Sequence, residues 1–340
     1  MDNLLRNAEM PLLAITMGDP AGIGPEIIVK AYKMMASTAG SRPFVIGSAS
    51  CLKLAMRQSE ITIPIETVQR PEDVPELQSG IVVLEPLPLE ADQIEQGKVS
   101  AHCGEAAVQY FECAVNYCLA NRTAGVVTCP INKEAVHLAG YHGDIGHQEI
   151  LARMTGAELT ATMLMTPGLK VAHLSTHKSL AQAVSYVTRN VIVDKLQLTH
   201  ASLESWGISQ PRIGVAALNP HGGEGGMLGD EEIRQIKPAV EDCQSQGLDI
   251  TGPYPADSIF YRAIGGEFDA VLALYHDQGH IAIKVHDFAH SVTATMGIPF
   301  VRTSVDHGTA FDIAGKNLAD ANGLVHALGA AKMMLNQKLV

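Results

Sequence analysis

Positive charge is scarce in this sequence of 340 residues. It holds 24 Lys and Arg against 36 Asp and Glu, a formal net charge of −12, and no long basic stripe offsets that balance. A nucleic-acid partner is therefore not expected. An anionic small molecule is not excluded, because a few local cations are enough to bind a phosphate group.

Long apolar runs are also missing. The hydrophobic fraction is 46%, but it is spread over short segments, and none approaches the roughly 18–20 apolar residues that cross a bilayer. The N-terminal segment MDNLLRNAEMP lacks the apolar core of a signal peptide. We therefore expect a cytoplasmic protein without a membrane partner.

Several short motifs are absent as well. The six cysteines form no CxxC pair, so they suit a reduced protein with buried thiols better than a zinc ribbon or a disulfide framework. Neither the dinucleotide fingerprint GxGxxG nor the phosphate loop GxxxxGK followed by Ser or Thr occurs. A conventional Rossmann site and a P-loop nucleotidase are therefore disfavoured.

Short runs rich in Val, Ile and Leu alternate with helical patterns. Such runs are typical of strands buried on both faces, and the alternation predicts an α/β fold with largely parallel sheets, either two domains or one large unit. The predicted strands are 12–17, 43–46, 81–84, 125–128, 170–174, 212–218, 270–274 and 300–301, the predicted helices are 25–35, 105–119, 190–205 and 231–246, and 64–88 is expected to be irregular.

Polar segments follow most of these strands. Ligands of open α/β sheets bind beyond the carboxyl ends of the strands, so segments at corresponding ends predict one composite site. The segments are GDPAGIGPE (18–26), CPINKE (129–134), STHKS (175–179), NPHGGEGG (219–226), YHDQGH (275–280) and RTSVDHGT (302–309).

Three of the 14 histidines share this position after a strand: His177, His221 and His276. Neutral imidazoles suit Zn²⁺, Co²⁺, Ni²⁺ or Fe²⁺ better than Mg²⁺, and three protein ligands leave coordination positions open, as a catalytic metal requires. Glu224 and Asp277 stand beside them as acids that orient a ligand or transfer protons. The residues alone leave a metal site and ordinary surface or core histidines as alternatives.

Two further segments have the composition of ligand loops. In GDPAGIGPEI (18–27) the glycines allow a tight turn and Pro25 suits a first helical turn, which fits either a structural turn or a nucleotide or substrate loop. The segment 306–323 is rich in Gly, Ala and Asp and has no periodicity, and a long irregular segment in a compact domain is more often functional than idle.

These motifs carry a resemblance to known families. HGTAFDIAGKNLADANG resembles the adenosine-binding loop of the isocitrate and isopropylmalate dehydrogenases, which hold Mg²⁺ or Mn²⁺ with aspartates. The chain is more similar to the 4-hydroxythreonine-4-phosphate dehydrogenases and their paralogues, the 4-phospho-D-threonate dehydrogenases. The matching motifs, in order over essentially the whole chain, are GDPAGIGPE, GHxE, STH, LNPHGGEGG, PADSIF, YHDQGH and IPFVRTSVDHGTAFDIAG.

The resemblance implies a homodimer of two α/β/α domains, isocitrate/isopropylmalate dehydrogenase-like, with the active site at the dimer interface. A nucleotide-side domain is expected over 1–140 plus 290–340, and a metal-binding and dimerisation domain over 141–289. The metal would be held by His177 and His221 of one subunit and by His276 of the other. Histidine ligands favour Zn²⁺ or Co²⁺ over Mn²⁺ or Mg²⁺.

The same resemblance assigns further roles. Gln148 stands where the family usually has threonine and Thr293 where it has asparagine, which leaves the substrate open, and Lys316 is the only cation of 306–323, which favours NAD over NADP. The implied substrate contacts are His147, Gln148, Lys284, Thr293 and Arg302, the implied NAD contacts are Gly22, Gly24, His307, Gly308, Asp312 and Asn317, and the acid–base candidates are Asp257, Asp277 and Lys133.

The implied reaction is NAD-linked oxidation of the C3 hydroxyl of a 4-phosphorylated hydroxy acid, followed by decarboxylation. The GHI after YHDQ and the wording DHGTAFDIAG favour 4-phospho-D-threonate, converted to dihydroxyacetone phosphate and CO2. The alternative substrate is 4-hydroxy-L-threonine phosphate of pyridoxal phosphate biosynthesis. Two other classes remain as rivals, a metal-dependent phosphohydrolase, which would turn over without NAD, and a non-catalytic binding protein.

Overall fold

The computed structural model describes residues 10–35, 41–144 and 146–339. Residues 1–9 lie outside these ranges, and they include most of the N-terminal segment MDNLLRNAEMP discussed above. Contacts divide the chain into two compact units, Met1–Glu158 with Ile298–Leu335 and Leu159–Gly297 with Asn336–Val340. Residues 141–158 thus group with the first unit, whereas the expected domain boundaries assigned them to the metal-binding half.

Strands and helices alternate along the chain, which confirms the α/β class. The strands are β1 Leu12–Thr16, β2 Arg42–Ile46, β3 Ile65–Val68, β4 Ile81–Leu84, β5 Gly125–Thr128, β6 Ala161–Thr166, β7 Leu169–His173, β8 Ile213–Ala216, β9 Ile250–Tyr254, β10 Ala270–Ala273, β11 Val292–Met296 and β12 Val301–Val305. The α-helices are α1 Gly24–Met34, α2 Ala49–Ser59, α3 Ala101–Leu119, α4 Lys133–Leu138, α5 His147–Thr155, α6 Leu180–Tyr186, α7 Arg189–Ser205, α8 Lys237–Ser245, α9 Ala256–Ile264, α10 His276–His286 and α11 Asn322–Leu335.

The first unit is built on a parallel sheet in the order β3-β4-β2-β1-β5-β12. β1 lies inside this sheet, and four of its five residues are buried, as expected for a strand covered on both faces. The carboxyl ends of β1, β5 and β12 reach the same edge. The glycine turn, the segment from Cys129 and the loop from Asp306 therefore begin side by side.

The second unit has a mixed sheet in the order β11-β6-β7-β10-β8-β9. β7, β10, β8 and β9 are parallel, whereas β6 is antiparallel to both of its neighbours. Pro167 and Gly168 form the two-residue hairpin turn between β6 and β7, and Gly168 has a φ of +80°, which suits glycine. The sequence prediction of largely parallel sheets is confirmed, with the two antiparallel pairings of β6 as the exception.

The predicted strands all coincide with observed ones, but their bounds differ. The strand predicted at 300–301 extends to Val305, so Arg302 lies inside β12 rather than in a segment after it. Strands β3, β6, β9 and β11 were not predicted from the sequence. The prediction of an irregular segment at 64–88 was wrong for β3, an edge strand with two exposed residues. The predicted helix 231–246 begins as a π-helical turn, Glu232–Ile236, ahead of α8.

The cysteines and the lengths of the apolar helices can be compared with what the sequence predicted. All six cysteines are free and all but Cys113 are buried, and burial raises the pKa of the Cys129 thiol far above its usual range. The expected packing of unpaired cysteines in the interior is thereby confirmed for five of the six. No helix within the described ranges is both long and apolar enough to span a membrane.

The turn after β1 encloses an acid. A side chain on Gly18, whose φ is +70°, would have its Cβ 2.2 Å from the carbonyl oxygen of Pro130, so only glycine fits. The next residue, Asp19, is fully buried. Its Oδ1 accepts a hydrogen bond from Ala21 N–H at 2.9 Å, and its Oδ2 has no partner in the described residues. Burial raises the pKa of Asp19 to about 6.

We predict that Asp19→Asn stabilises the protein in a pH-dependent way. Because the folded pKa of about 6 lies above the ordinary 3.8, stability falls as pH rises through that window, at a cost on the order of 3 kcal/mol above it. Asparagine keeps the Oδ1 acceptor and cannot ionise. Urea midpoints of variant and wild type should diverge between about pH 4 and 6 and differ by a constant amount above about pH 7. The exposed control Asp92→Asn should show no such trend, and a pH-independent gain for Asp19→Asn would contradict the prediction.

Candidate active site

Buried hydrogen bonds tie together the three strand ends that precede the candidate metal ligands. Leu274 N–H donates to Gln278 Oε1 at 2.7 Å, and Gln278 Nε2 donates to the carbonyl of Ala217 at 2.8 Å. Ser175 Oγ donates to the carbonyl of Leu274 at 3.1 Å. The segments after β7, β8 and β10 are thus fixed to one another at one edge of the second unit's sheet, and they carry His177, His221 and His276.

His221 lies in a turn of left-handed backbone. Every residue from His221 to Gly225 has a positive φ, with 52° at His221 and 45° at Glu224. For residues with a Cβ this conformation costs roughly 1–2 kcal/mol each, whereas Gly222, Gly223 and Gly225 adopt it freely. Strain of this kind is retained where the surrounding structure holds it in place, often at functional sites.

The side chain that holds this turn is Glu232, in the π-helical turn. It is 4% exposed, and its Oε1 accepts hydrogen bonds from the backbone N–H groups of Leu218 and Asn219 at 2.8 and 2.7 Å. Its Oε2 accepts from Asn219 Nδ2 at 2.9 Å. One buried carboxylate therefore fixes the chain directly before His221.

Two of the candidate ligands, His221 and His276, each have a carboxylate within hydrogen-bond distance of ring atom Nδ1. His221 Nδ1 lies 2.8 Å from Glu224 Oε1, and His276 Nδ1 lies 2.6 Å from Asp277 Oδ1. Each pair leaves Nε2 as the remaining donor atom of the ring, the arrangement found for metal-binding histidines with a carboxylate behind them. The side chains of His221 and His276 are 66% and 43% exposed. Asp277, an acid–base candidate, is therefore hydrogen-bonded to His276 in this structure.

The three histidines do not form a metal cluster within one chain. Over residues 10–35, 41–144 and 146–339, no group of three His, Cys, Asp or Glu side chains is arranged to hold a metal ion. The donor chemistry nevertheless fits a divalent metal, because His221 and His276 each present an open Nε2 and His177 is exposed. A shared site in which His276 comes from the other subunit stays a prediction. Asp257 is exposed in the first turn of α9.

In the first unit, a buried cation lies on β12. Arg302 is 4% exposed, and its Nη2 donates to Thr128 Oγ1 at 2.7 Å. Burial lowers the pKa of Arg302 to about 10, which still leaves the guanidinium positive at neutral pH. A desolvated arginine binds carboxylate or phosphate oxygens more strongly than a surface one.

His147 is held neutral near this arginine. Burial and the charge of Arg302 lower the pKa of His147 well below its usual value. The ring packs against the edge of Phe111 with centroids 4.5 Å apart, and Nε2 is buried without a hydrogen-bond partner among the described residues. His147 also begins α5, as the GHQEI segment indicated. A neutral imidazole and a buried cation are thus available to an anionic ligand.

The remaining substrate and acid–base candidates belong to different elements. A Cβ built on Gly146 would lie 3.7 Å from Lys133 Cε, so Lys133 reaches the start of α5, where Gln148 lies. Lys284 lies in the last turn of α10 rather than at a strand end, with Nζ 5.1 Å from the ring centroid of Phe288. Thr293 is on β11, half-buried and opposite Leu164 of β6.

The glycine turn packs directly on the irregular loop 306–323. Ile23 N–H donates to the carbonyl of Thr309 at 3.1 Å. A Cβ on Gly22 would lie 3.0 Å from that same oxygen, and a Cβ on Gly24 would lie 2.0 Å from the carbonyl oxygen of Met17. This packing accounts for both glycines, and their role in cofactor binding stays a prediction.

The irregular loop 306–323 exposes several side chains that could contact a ligand. It runs without helix or strand from the end of β12 to α11, as its composition predicted. Glu26 holds its far end, since Oε1 accepts from Ala319 N–H at 2.8 Å. The four expected NAD contacts that belong to this loop are all exposed, namely His307, Gly308, Asp312 and Asn317.

Sequence reasoning missed several residues that build the site. Thr128, Gln278 and Glu232 are short polar links to strand ends, and nothing in their local pattern marks them as buried. His173 ends β7 and is 2% exposed, and burial with the neighbouring His280 and His276 lowers its pKa to about 3. The repeat of histidine four residues after His276 was the one available signal for His280.

Comparison with known proteins agrees with these features. A D-threonate 4-phosphate dehydrogenase of Cupriavidus necator is 44% identical over 320 residues, covering 94% of this chain and 96% of that protein. A 4-hydroxythreonine-4-phosphate dehydrogenase structure from Burkholderia phymatum has 40% identity and a TM-score of 0.84, covering 96% of this chain and 98% of that one. One from Klebsiella pneumoniae has 38% identity and a TM-score of 0.88, covering 97% and 99%.

A family model agrees over most of the chain. It is described as pyridoxal phosphate biosynthetic protein PdxA and matches residues 39–331. The resemblance that the motifs indicated is thereby confirmed, and the chain belongs to the PdxA family.

Proposed function

We propose that this protein is a metal-dependent, NAD-linked dehydrogenase that oxidises the C3 hydroxyl of a 4-phosphorylated hydroxy acid, after which the product loses CO2. The preferred substrate is 4-phospho-D-threonate, giving dihydroxyacetone phosphate. The observation that carries this proposal is the 44% identity over 94% of the chain to a D-threonate 4-phosphate dehydrogenase. The carboxylate-backed histidines and the buried arginine supply side chains suited to this reaction.

The metal would be held by His177 and His221 of one subunit with His276 of the other. When bound, a divalent cation supplies Lewis acidity, which lowers the pKa of a ligated hydroxyl and draws electrons from a neighbouring carbonyl. Glu224 and Asp277 orient their histidines and make Nε2 a better donor. Histidine donors favour Zn²⁺ or Co²⁺.

The first unit would recognise the anionic part of the substrate. Arg302 offers guanidinium N–H groups in a fixed fork, the geometry that pairs with carboxylate or phosphate oxygens. His147 stays neutral beside it, so it can accept or donate one hydrogen bond without adding charge. NAD would bind along the glycine turn and His307, Gly308, Asp312 and Asn317, and Lys133 remains a candidate for proton transfer.

An apolar stripe on α10 supports the dimer. Ile281 and Val285 recur on one face of the helix and are 60% and 82% exposed, Phe288 follows just after the helix end and is 69% exposed, and Tyr261 of α9 is 80% exposed. Ile281 and Val285 also line one surface pocket together with Phe260 and Ile264, and an exposed apolar patch of this kind marks an interaction site more often than a free surface. Because α10 begins at His276, a second subunit docked on this stripe would lie close to that histidine.

A second substrate has its own support. The two solved structures described above carry the name 4-hydroxythreonine-4-phosphate dehydrogenase, which favours 4-hydroxy-L-threonine phosphate. Both substrates carry a phosphate at C4 and a hydroxyl at C3. They differ in the polar group on the carbon between C3 and the carboxylate. Gln148 and Thr293, where this chain departs from the usual family residues, are the positions at which we expect the two to be distinguished.

We predict that the purified protein reduces NAD with 4-phospho-D-threonate in the presence of Zn²⁺ or Co²⁺, with kcat/KM at least about tenfold above that for 4-hydroxy-L-threonine phosphate. Chelation should abolish NADH formation. A coupled assay comparing both substrates and 4-phospho-D-erythronate across several metals measures this. Inorganic phosphate released without NAD would identify a hydrolase and overturn the proposal, and the reverse substrate preference would select the second substrate.

We predict that His221→Ala abolishes metal binding while the dimer stays folded. Loss of an orienting partner alone costs about 10–100-fold in metal affinity, so removal of a ligand should exceed about 100-fold. The matched control is His200→Ala on α7, a partly buried histidine beside Glu204 at 3.5 Å, which should bind metal normally. Competition with a chromophoric chelator gives the affinities, and unchanged binding by His221→Ala would remove His221 from the ligand set.

We predict that Val285→Asp with Phe288→Asp yields inactive monomers. Burying unpaired carboxylates in an apolar interface costs several kcal/mol per charge, so the dimer dissociation constant should rise by at least about 100-fold. Analytical ultracentrifugation with activity measured at matched concentration tests this. Leu77→Asp, at an apolar residue that is 89% exposed in the first unit, is the control. A fully active monomer would rule out a site shared between subunits.

A further inference from the structure

Two imidazole rings lie one above the other on α10. His276 and His280 are separated by one helical turn, their ring centroids are 3.6 Å apart, and their planes differ by 12°. His280 Nδ1 lies 3.0 Å from the carbonyl oxygen of His276. Because a carbonyl only accepts hydrogen bonds, this nitrogen carries the proton and donates. The bond fixes the tautomer and the rotamer of His280, so that its ring lies flat against His276.

A third imidazole supports His280 from the sheet. His173 of β7 is 2% exposed, and its ring centroid is 4.6 Å from that of His280, at 58°. Helix α10 approaches β7 this closely because residue 279 is glycine, since a Cβ there would lie 2.2 Å from His173 Nε2. His280 is therefore held between a ring fixed in the core and the ring of His276.

The two neighbours of His276 restrict different motions of its ring. The hydrogen bond from Nδ1 to Asp277 Oδ1, at 2.6 Å, sets a direction in the ring plane but allows the ring to turn about that bond. The face contact with His280 restricts this turning. Together they define where His276 Nε2 points, and neither contact does so alone.

His280 is not itself placed to bind the same ion as His276. The lone pair of an imidazole nitrogen lies in the plane of its ring. Two planes that differ by only 12°, with centroids 3.6 Å apart, do not meet near the rings, so the two lone pairs cannot converge on one ion at a bond length of about 2 Å. A ligand pair at His276 and His280 is thereby excluded in this conformation.

We propose that His280, backed by His173, is a positioning residue that holds the ring of His276 in the orientation in which Nε2 binds the divalent cation. This inference rests on the proposed metal role of His276. His280 contributes a flat surface that is held by its hydrogen bond to the His276 carbonyl, and it does not touch the metal. Orienting partners of this kind affect metal affinity about 10–100-fold.

The test uses the full-length protein and compares two substitutions. His280→Ala removes both the stacked face and the hydrogen bond, whereas His280→Phe keeps a flat ring that can stack on His276. His200→Ala on α7 is the matched control. Co²⁺ is the probe, with its affinity read by chelator competition and its ligand geometry by the visible d–d absorption band, alongside the unfolding midpoint of the metal-free protein and its oligomeric state.

We expect His280→Ala to weaken Co²⁺ binding about tenfold and to alter the d–d band, and His280→Phe to recover affinity to within about threefold of wild type. The control should match wild type, and all variants should keep the same oligomeric state. Wild-type affinity in His280→Ala would overturn the inference, as would failure of the phenylalanine to rescue, or a loss that follows dimer dissociation. Absence of divalent metal binding in the wild type would instead overturn the proposed function itself.

Discussion

One buried amide constrains the edge of the second unit that carries the candidate metal ligands. Gln278 accepts from Leu274 N–H and donates to the Ala217 carbonyl, at 2.7 and 2.8 Å, and so joins the ends of β10 and β8. An apolar side chain at position 278 would leave both backbone groups buried and unpaired, at about 1–3 kcal/mol each. The Gln278 amide is therefore needed to keep the segments that carry His221 and His276 at a fixed distance from each other.

The strained turn at His221 depends on that fixed edge and on Glu232. Left-handed backbone at His221 and Glu224 works against the intrinsic preference of both residues. Glu232 offsets this by accepting two backbone hydrogen bonds just before the turn, and hydrogen bonds to a charged group contribute roughly 1.5–3 kcal/mol each. The glycines between His221 and Glu224 then close the turn, so that the carboxylate of Glu224 reaches Nδ1 of its histidine. The conformation brings donor and orienting acid together within one short segment.

Periodicity and composition predicted the α/β class, the buried parallel strands and the irregular loop 306–323, because these features depend on local patterns of apolar residues. Strand β11 was missed because its pairing partner β6 is distant in sequence and its register is set by tertiary contacts. The sequence also predicted that three histidines follow strand ends, namely His177, His221 and His276. It did not predict the residues that fix these segments, because Gln278 and Glu232 have the polarity of surface residues and only the fold buries them. Asp19 was missed as a buried acid for the same reason.

The two units present their candidate groups in opposite physical states. In the first, Arg302 and His147 are desolvated in the free protein, so the cost of stripping water from them is met on folding and an anion gains the full interaction on binding. In the second, His221 and His276 keep their rings partly in water, which would weaken electrostatic effects at a metal bound there. Under the proposed function, a second subunit docked on the apolar stripe of α10 would remove that water. Under that proposal, helix α10 carries His276 together with Ile281 and Val285, so the same eleven-residue helix would set both the surface for association and the residue that needs shielding from solvent.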